Sequence, residues 1–131
     1  MKILFDAGSL INLANGRLLP ILVSTPRYAG HVGPIVRGEC KTIAGQLEQL
    51  ISDGKLCALP DVAMSASSFA ALLNKFNLGL GETECIAFSL QDQFVISCDD
   101  AAARRIMAAQ FGAKRLTALL ACLSWQFETR S

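Results

Sequence analysis

The feature that most restricts this chain is an alternation of short apolar runs with helix-forming segments. The runs Lys2–Phe5, Tyr28–Val32, Leu56–Leu59 and Phe94–Ser97 are each too short for a helix, and a shift to helical composition or a helix-opening residue follows each. Parallel strands need a crossover of about a dozen residues, so the alternation predicts an α/β fold, a parallel sheet with helices on both faces. Asp6 or Ser9 caps a first helix over Ser9–Leu13, which Asn15-Gly16 closes. Pro34 opens a long helix running to Ser52, ended by Asp53-Gly54. Asp61–Phe76 reads as a helix, residues 77–81 as a turn, and Glu82 to about Gln91 as another helix. Asp99-Asp100 opens a helix over Ala101–Gln110, Arg115–Thr117 reads as a last short strand, and a final helix runs to about Phe127. In such folds ligands sit beyond the carboxyl ends of the strands.

Length and charge narrow the function. A chain of 131 residues is one domain, 1–131, and 52% hydrophobic residues exclude intrinsic disorder. Twelve Lys+Arg against eleven Asp+Glu leave +1, so bulk charge does not carry polyanion binding and any such site is local. The five cysteines, Cys40, Cys57, Cys85, Cys98 and Cys122, are scattered and suggest neither a disulfide framework nor zinc. Asp6 comes too early for a signal peptide, and the stretch Leu116–Phe127 is too short to cross a membrane. A cytoplasmic protein with no membrane partner is expected.

The carboxylates separate by setting. Asp6 ends the first strand, where a helix cap would explain it. At about 100° per residue Val36, Cys40, Ile43, Leu47 and Leu50 form one apolar stripe, and Glu39 lies only about 60° from its centre, aimed at the core's edge. A carboxylate so placed needs a partner or a rim position from which to reach water. Glu82 is spaced to share an inward face with Ile86 and Leu90, whereas Glu84 points to the opposite side with Phe88. Asp100 is the better cap for the following helix, leaving Asp99 at the strand tip, although the two could exchange roles. Asp6, Glu82 and Asp99 all fall at element junctions that Glu39 can reach. Four carboxylates meeting at one point repel unless a cation sits among them, and all-oxygen ligation selects Mg²⁺ or Mn²⁺.

These residues also carry a resemblance. The order Ile3-Leu4-Phe5-Asp6-Ala7-Gly8-Ser9, Val36-Arg37-Gly38-Glu39, Gly81-Glu82-Thr83-Glu84-Cys85-Ile86 and Ser97-Cys98-Asp99-Asp100-Ala101 resembles the PIN-domain family, particularly toxins of VapC type, over residues 2–117. The resemblance implies a three-layer α/β/α sandwich with a central parallel sheet, and a Mg²⁺- or Mn²⁺-dependent endoribonuclease. It implies that Asp6, Glu39, Glu82 and Asp99 bind the metal and that Ser9, the small hydroxyl residue beside the first Asp, helps to hold the site. Many toxins of this type have Asp as the third acid, so Glu84 stands beside Glu82, and Asp100 beside Asp99, as alternative ligands. It further implies an antitoxin protein that inserts a basic side chain into the acidic pocket.

A dication there would activate water for in-line attack on RNA phosphorus. A single-stranded substrate suits an acidic pocket best. Arg27, Lys41 and Arg104 are the first candidates for phosphate contacts, with Arg105, Lys114 and Arg115 behind them. His31, the single imidazole, reads as a strand or loop residue. The competing enzyme class is phosphoryl transfer through an aspartyl phosphate on Asp6 or Asp99 with Lys114 as cation. Gly8 stands where a haloacid dehalogenase pattern wants an acid or Thr. The non-enzymatic alternative is an α/β interaction module whose carboxylates are only caps. Apolar helices such as Ala63–Phe76 offer a homodimer surface.

Overall fold

The computed structural model describes residues 1–117. Strands β1 (Lys2–Phe5), β2 (Ala29–Val32), β3 (Leu56–Ala58), β4 (Val95–Ser97) and β5 (Leu116–Thr117) form one sheet in the order β3-β2-β1-β4-β5, with every pairing parallel. Successive residues of a strand face opposite sides of the sheet. Ile3, Leu4 and Phe5 are all buried, so both faces are covered and the fold is a three-layer α/β/α sandwich. Chain order reverses between β1 and β4, the strands to either side being filled in opposite directions. This switch point brings the carboxyl ends of β1 and β4 side by side, Phe5 opposite Ser97.

The helices are α1 (Ala7–Asn15), α2 (Leu19–Val23), α3 (Pro34–Glu39), α4 (Ala44–Ser52), α5 (Ala66–Phe76), α6 (Leu80–Gln91) and α7 (Ala101–Phe111). Asp6 caps α1 and Gly16 closes it, as expected from sequence. The single long helix expected from Pro34 to Ser52 is instead two helices around a 3₁₀ turn, Lys41–Ile43. Gly38 and the β-branched Thr42 and Ile43 weaken a continuous helix there, and Cys40 leaves the helical region with ψ 50°. The apolar stripe survives the break, with Val36, Cys40, Ile43, Leu47 and Leu50 all buried. Arg37 spans the break with a two-pronged bond to Glu48, Nε at 2.7 Å.

Two other boundaries differ. No element was expected between Gly16 and Tyr28, yet α2 forms there with Pro20 in its first turn, where a missing amide hydrogen costs nothing. Helix α5 starts at Ala66 rather than Asp61, because the Ser65 hydroxyl caps it by accepting the Ser68 amide at 3.1 Å. None of its residues is fully buried. The final helix expected to about Phe127, and Cys122, lie outside the described residues. Among the described residues no helix is long and apolar enough to cross a membrane, and Cys40, Cys57, Cys85 and Cys98 are free thiols.

Candidate functional site

Asp6 leaves β1 at its carboxyl end and turns directly into α1. Its backbone N–H donates to Ser97 O on β4 at 3.1 Å, and its Oδ1 accepts the Ser9 amide at 2.7 Å. The side chain is therefore fixed at the switch point, and only 6% of the residue is exposed. Burial pushes its carboxyl above the ordinary range; hydrogen bonds from Ser9 and the Cys98 thiol pull back, and the Asp99 charge pushes up again. A cap would explain the Ser9 contact, but capping alone does not require further carboxylates opposite.

Such carboxylates are present. Asp6, Glu39 and Glu82 line one cleft of about 90 Å³ together with Ala7, Gly8, Gly79 and Gly81. Glu39 closes α3 and is exposed at the cleft's mouth; Glu82 enters from the first turn of α6. Burial raises the Glu82 carboxyl, and the charges of Asp100, Asp6 and Glu39 raise it further. Glu82 Oε2 is buried with no hydrogen-bond partner. A buried carboxylate oxygen without a donor is costly, about 1–3 kcal/mol or more, unless something positive meets it.

Asp99 adjoins the cleft through hydroxyls. Ser97 Oγ donates to Ser9 Oγ at 3.1 Å, and Ser9 Oγ donates to Asp99 Oδ2 at 3.5 Å. Asp100 caps α7, its Oδ1 accepting the Ala103 amide at 2.8 Å, while its charge still reaches Glu82. Asp100 is thus the cap, as expected, and its charge adds to the field of the cleft.

The donors in the cleft are all oxygen, one of them is orphaned, and a Cβ on Gly81 would overlap Glu39 Oε1, so the absence of that side chain leaves room for the carboxylate. These features suit a hard dication. Among the described residues no group of three or more His, Cys, Asp or Glu side chains is arranged to hold a metal ion, so the four carboxylates are not gathered as closely as the sequence led us to expect.

The helical-face argument that separated Glu82 from Glu84 is corrected. Leu90, assigned with Glu82 to an inward face, is 47% exposed, whereas Glu84 and Phe88, assigned to the other side, are buried. Helix α6 packs against both α3 and α5 and is buried around most of its circumference, so it carries no single stripe. Glu84 does not line the Asp6–Glu39–Glu82 cleft; its carboxylate accepts the Ile35 amide at 2.9 Å and the Val36 amide at 3.1 Å.

The basic candidates divide. Arg27 sits before β2, at the amino-terminal edge of the sheet, where its carbonyl accepts the Met1 ammonium at 3.1 Å. It is not brought to the carboxylates. Lys41 is exposed in the turn that follows Glu39. Arg104 donates to Cys98 O at 2.8 Å, bracing the loop that holds Asp99, while Arg105 is exposed beside it on α7. Arg115 is engaged by three carbonyls, Phe94 O, Ser89 O and Asp92 O, at 2.8–3.1 Å, and Lys114 is exposed next to it. His31 packs edge-on against Phe94 and bonds Ala29 O, away from the cleft.

Sequence reasoning missed Ser97, Cys98 and Gly81. The signal for Ser97 was present, a hydroxyl closing an otherwise apolar buried strand, but nothing local distinguishes Cys98 from a core thiol. No family model and no curated protein matches this sequence.

Proposed function

We propose that this chain is a Mg²⁺- or Mn²⁺-dependent endoribonuclease of PIN-domain type, acting on single-stranded RNA. The observation that carries the reading is the meeting of Asp6, Glu39 and Glu82 in one small cleft at the strand switch point, with Glu82 Oε2 buried and unpartnered and Asp99 one hydroxyl away. Asp6, Glu39, Glu82 and Asp99 would hold the ion. The chemistry it supplies is activation of water and neutralisation of charge building on the phosphoryl oxygens.

The chain's own contribution is orientation. The Ser9 amide fixes Asp6, and the Ser97–Ser9 hydroxyl pair points at Asp99, so two of the four carboxylates are set before any substrate arrives. Lys41, exposed two residues after Glu39, and Arg105, which lines a neighbouring pocket with Asp99, would meet flanking phosphates and steer a flexible strand toward an otherwise repelling pocket. If the protein is the toxin of a toxin–antitoxin pair, a basic side chain of the antitoxin entering the cleft would replace the cation and silence it.

The test is cleavage of a labelled single-stranded RNA with Mn²⁺, with chelator, and by Asp6→Asn and Asp99→Asn. Cleavage should require Mn²⁺ and be lost in both variants. Cleavage that survives both substitutions refutes the assignment.

A further inference from the structure

Glu84 is 1% exposed, the most deeply buried carboxylate among the described residues, and the proposed reaction does not use it. An ionisable group so buried is an expensive way to fill space, so its contacts require a reason. Each of its oxygens takes one amide of α3, Ile35 N and Val36 N, which fixes both the distance and the rotation of that helix's first turn. Helix α3 ends at Glu39, four residues beyond Ile35 and on the same side of the helix. On α6, Glu84 follows Glu82 by two residues, about 200° around the helix. One helix therefore grips α3 on one side while delivering Glu82 to the cleft on the other.

The grip is reciprocal. Glu84 of α6 lies against Gly33, the residue before α3, where a Cβ would overlap Oε1 and stand 2.5 Å from Cδ. Glu39 of α3 lies against Gly81 of α6, where a Cβ would likewise overlap its carboxylate. Each helix thus seats its carboxylate on the other's glycine. We infer that Glu84 is a positioning residue, which sets Glu39 relative to Glu82 and thereby the affinity of the cleft for a divalent ion. This rests on the cleft being the metal site proposed above.

Glu84→Gln separates positioning from bulk structure. Glutamine has one acceptor for two facing N–H donors, so one bond is lost while size is kept. Mn²⁺ binding to the full chain is measured by calorimetry, RNA cleavage is followed against Mn²⁺ concentration, and backbone amide spectra are recorded in chelator. The half-saturating Mn²⁺ concentration should rise about tenfold, and most of the cleavage rate should return at saturating metal. In chelator, the amide resonances of Glu39, Cys40 and Gly81 should move as well as those of Ile35 and Val36. Glu84→Asp, which keeps the charge but falls one methylene short, should show the same pattern and serves if the Gln variant does not fold. Unchanged Mn²⁺ affinity in a folded variant, or resonance changes confined to residues 33–36, overturns the inference. Binding lost as completely as in Glu82→Gln also overturns it, because Glu84 would then be a ligand. If the wild-type protein binds no Mn²⁺, the nuclease reading fails, and the chelator spectra alone decide whether Glu84 positions Glu39.

Discussion

Replacing Gly33 by alanine adds one methyl group and should cost as much as many core truncations. The backbone of Gly33, φ −79° and ψ 162°, is open to any residue, so alanine there would ordinarily stabilise by about 0.4–1 kcal/mol through the unfolded chain. Here the new Cβ would stand 2.5 Å from Glu84 Cδ and 2.9 Å from Phe88 Cε2. Ordinary carbon contacts begin near 3.5 Å, so the carboxylate must retreat by about 1 Å. Its bonds to Ile35 N and Val36 N, now 2.9 and 3.1 Å, would then stretch past hydrogen-bonding length. Leaving two amides without partners costs about 1–3 kcal/mol each, less the gain just named, or about 1–5.5 kcal/mol net. For a chain of this length that is a fall in melting temperature of very roughly 10 °C. Urea unfolding in chelator measures it, and a double-mutant cycle with Glu84→Ala isolates the cause. With Glu84 truncated the methyl group has space, and Gly33→Ala should become neutral or stabilising. A Gly33→Ala protein within 1 kcal/mol of wild type, or an equal loss in the Glu84→Ala background, would refute the argument.

Four further outcomes follow from the same geometry. Asp6→Asn keeps an acceptor for the Ser9 amide while removing a charge that burial and Asp99 disfavour, so it should raise metal-free stability at neutral pH and abolish the stabilisation that Mn²⁺ gives the wild type. Asp6, Glu82 and Glu84 are all raised above their ordinary values of 3.8 and 4.5, which means the folded chain binds their protons more tightly than the unfolded one. The contribution of these three groups to metal-free stability should therefore be greatest below those ordinary values and be lost as pH rises through the raised ones, against the opposite slope of Glu48 and Asp92, which Arg37 and Lys2 hold low. With saturating Mn²⁺ the trend across the same window should reverse, since ligands bind deprotonated; urea midpoints at several pH values decide both. Gly81→Ala meets only the flexible end of Glu39 and the Val36 side chain, so the fold should persist while calorimetry shows Mn²⁺ binding weakened about tenfold. Arg115→Met should lower stability by about 2–3 kcal/mol through three abandoned carbonyls while leaving RNA affinity unchanged in a binding assay.

Legibility followed the range of the interactions. Asp6, Pro34, Asp53 and Asp100 announce element ends through contacts within one helical turn, and the structure uses all four as expected. The apolar stripe from Val36 to Leu50 was visible for the same reason, even though Gly38 and Cys40 divide the helix beneath it. Glu82 and Glu84 were not separable correctly, because the periodic rule assumes a helix with one wet side. Helix α6 has almost none: Thr83, Ile86 and Ala87 are buried as well as Glu84 and Phe88. What places Glu84 is a pair of amides some fifty positions earlier in the chain, |i−j| 49 and 48, and no local pattern encodes them.

Two acids separated only by Thr83 thus reach opposite ends of the energetic scale for the same physical reason. Both lose water on folding, and each needs compensation. Glu84 finds it in two N–H donors supplied by the chain, and the result is a fixed joint between helices. Glu82 finds none for Oε2 and instead faces Asp6, Glu39 and Asp100, all of its own sign. The chain has satisfied the group that holds the cleft together and left unsatisfied the group that faces into it. A compact core with both faces of its sheet covered tolerates one such debt, and a dication entering among Asp6, Glu39 and Glu82 would remove it.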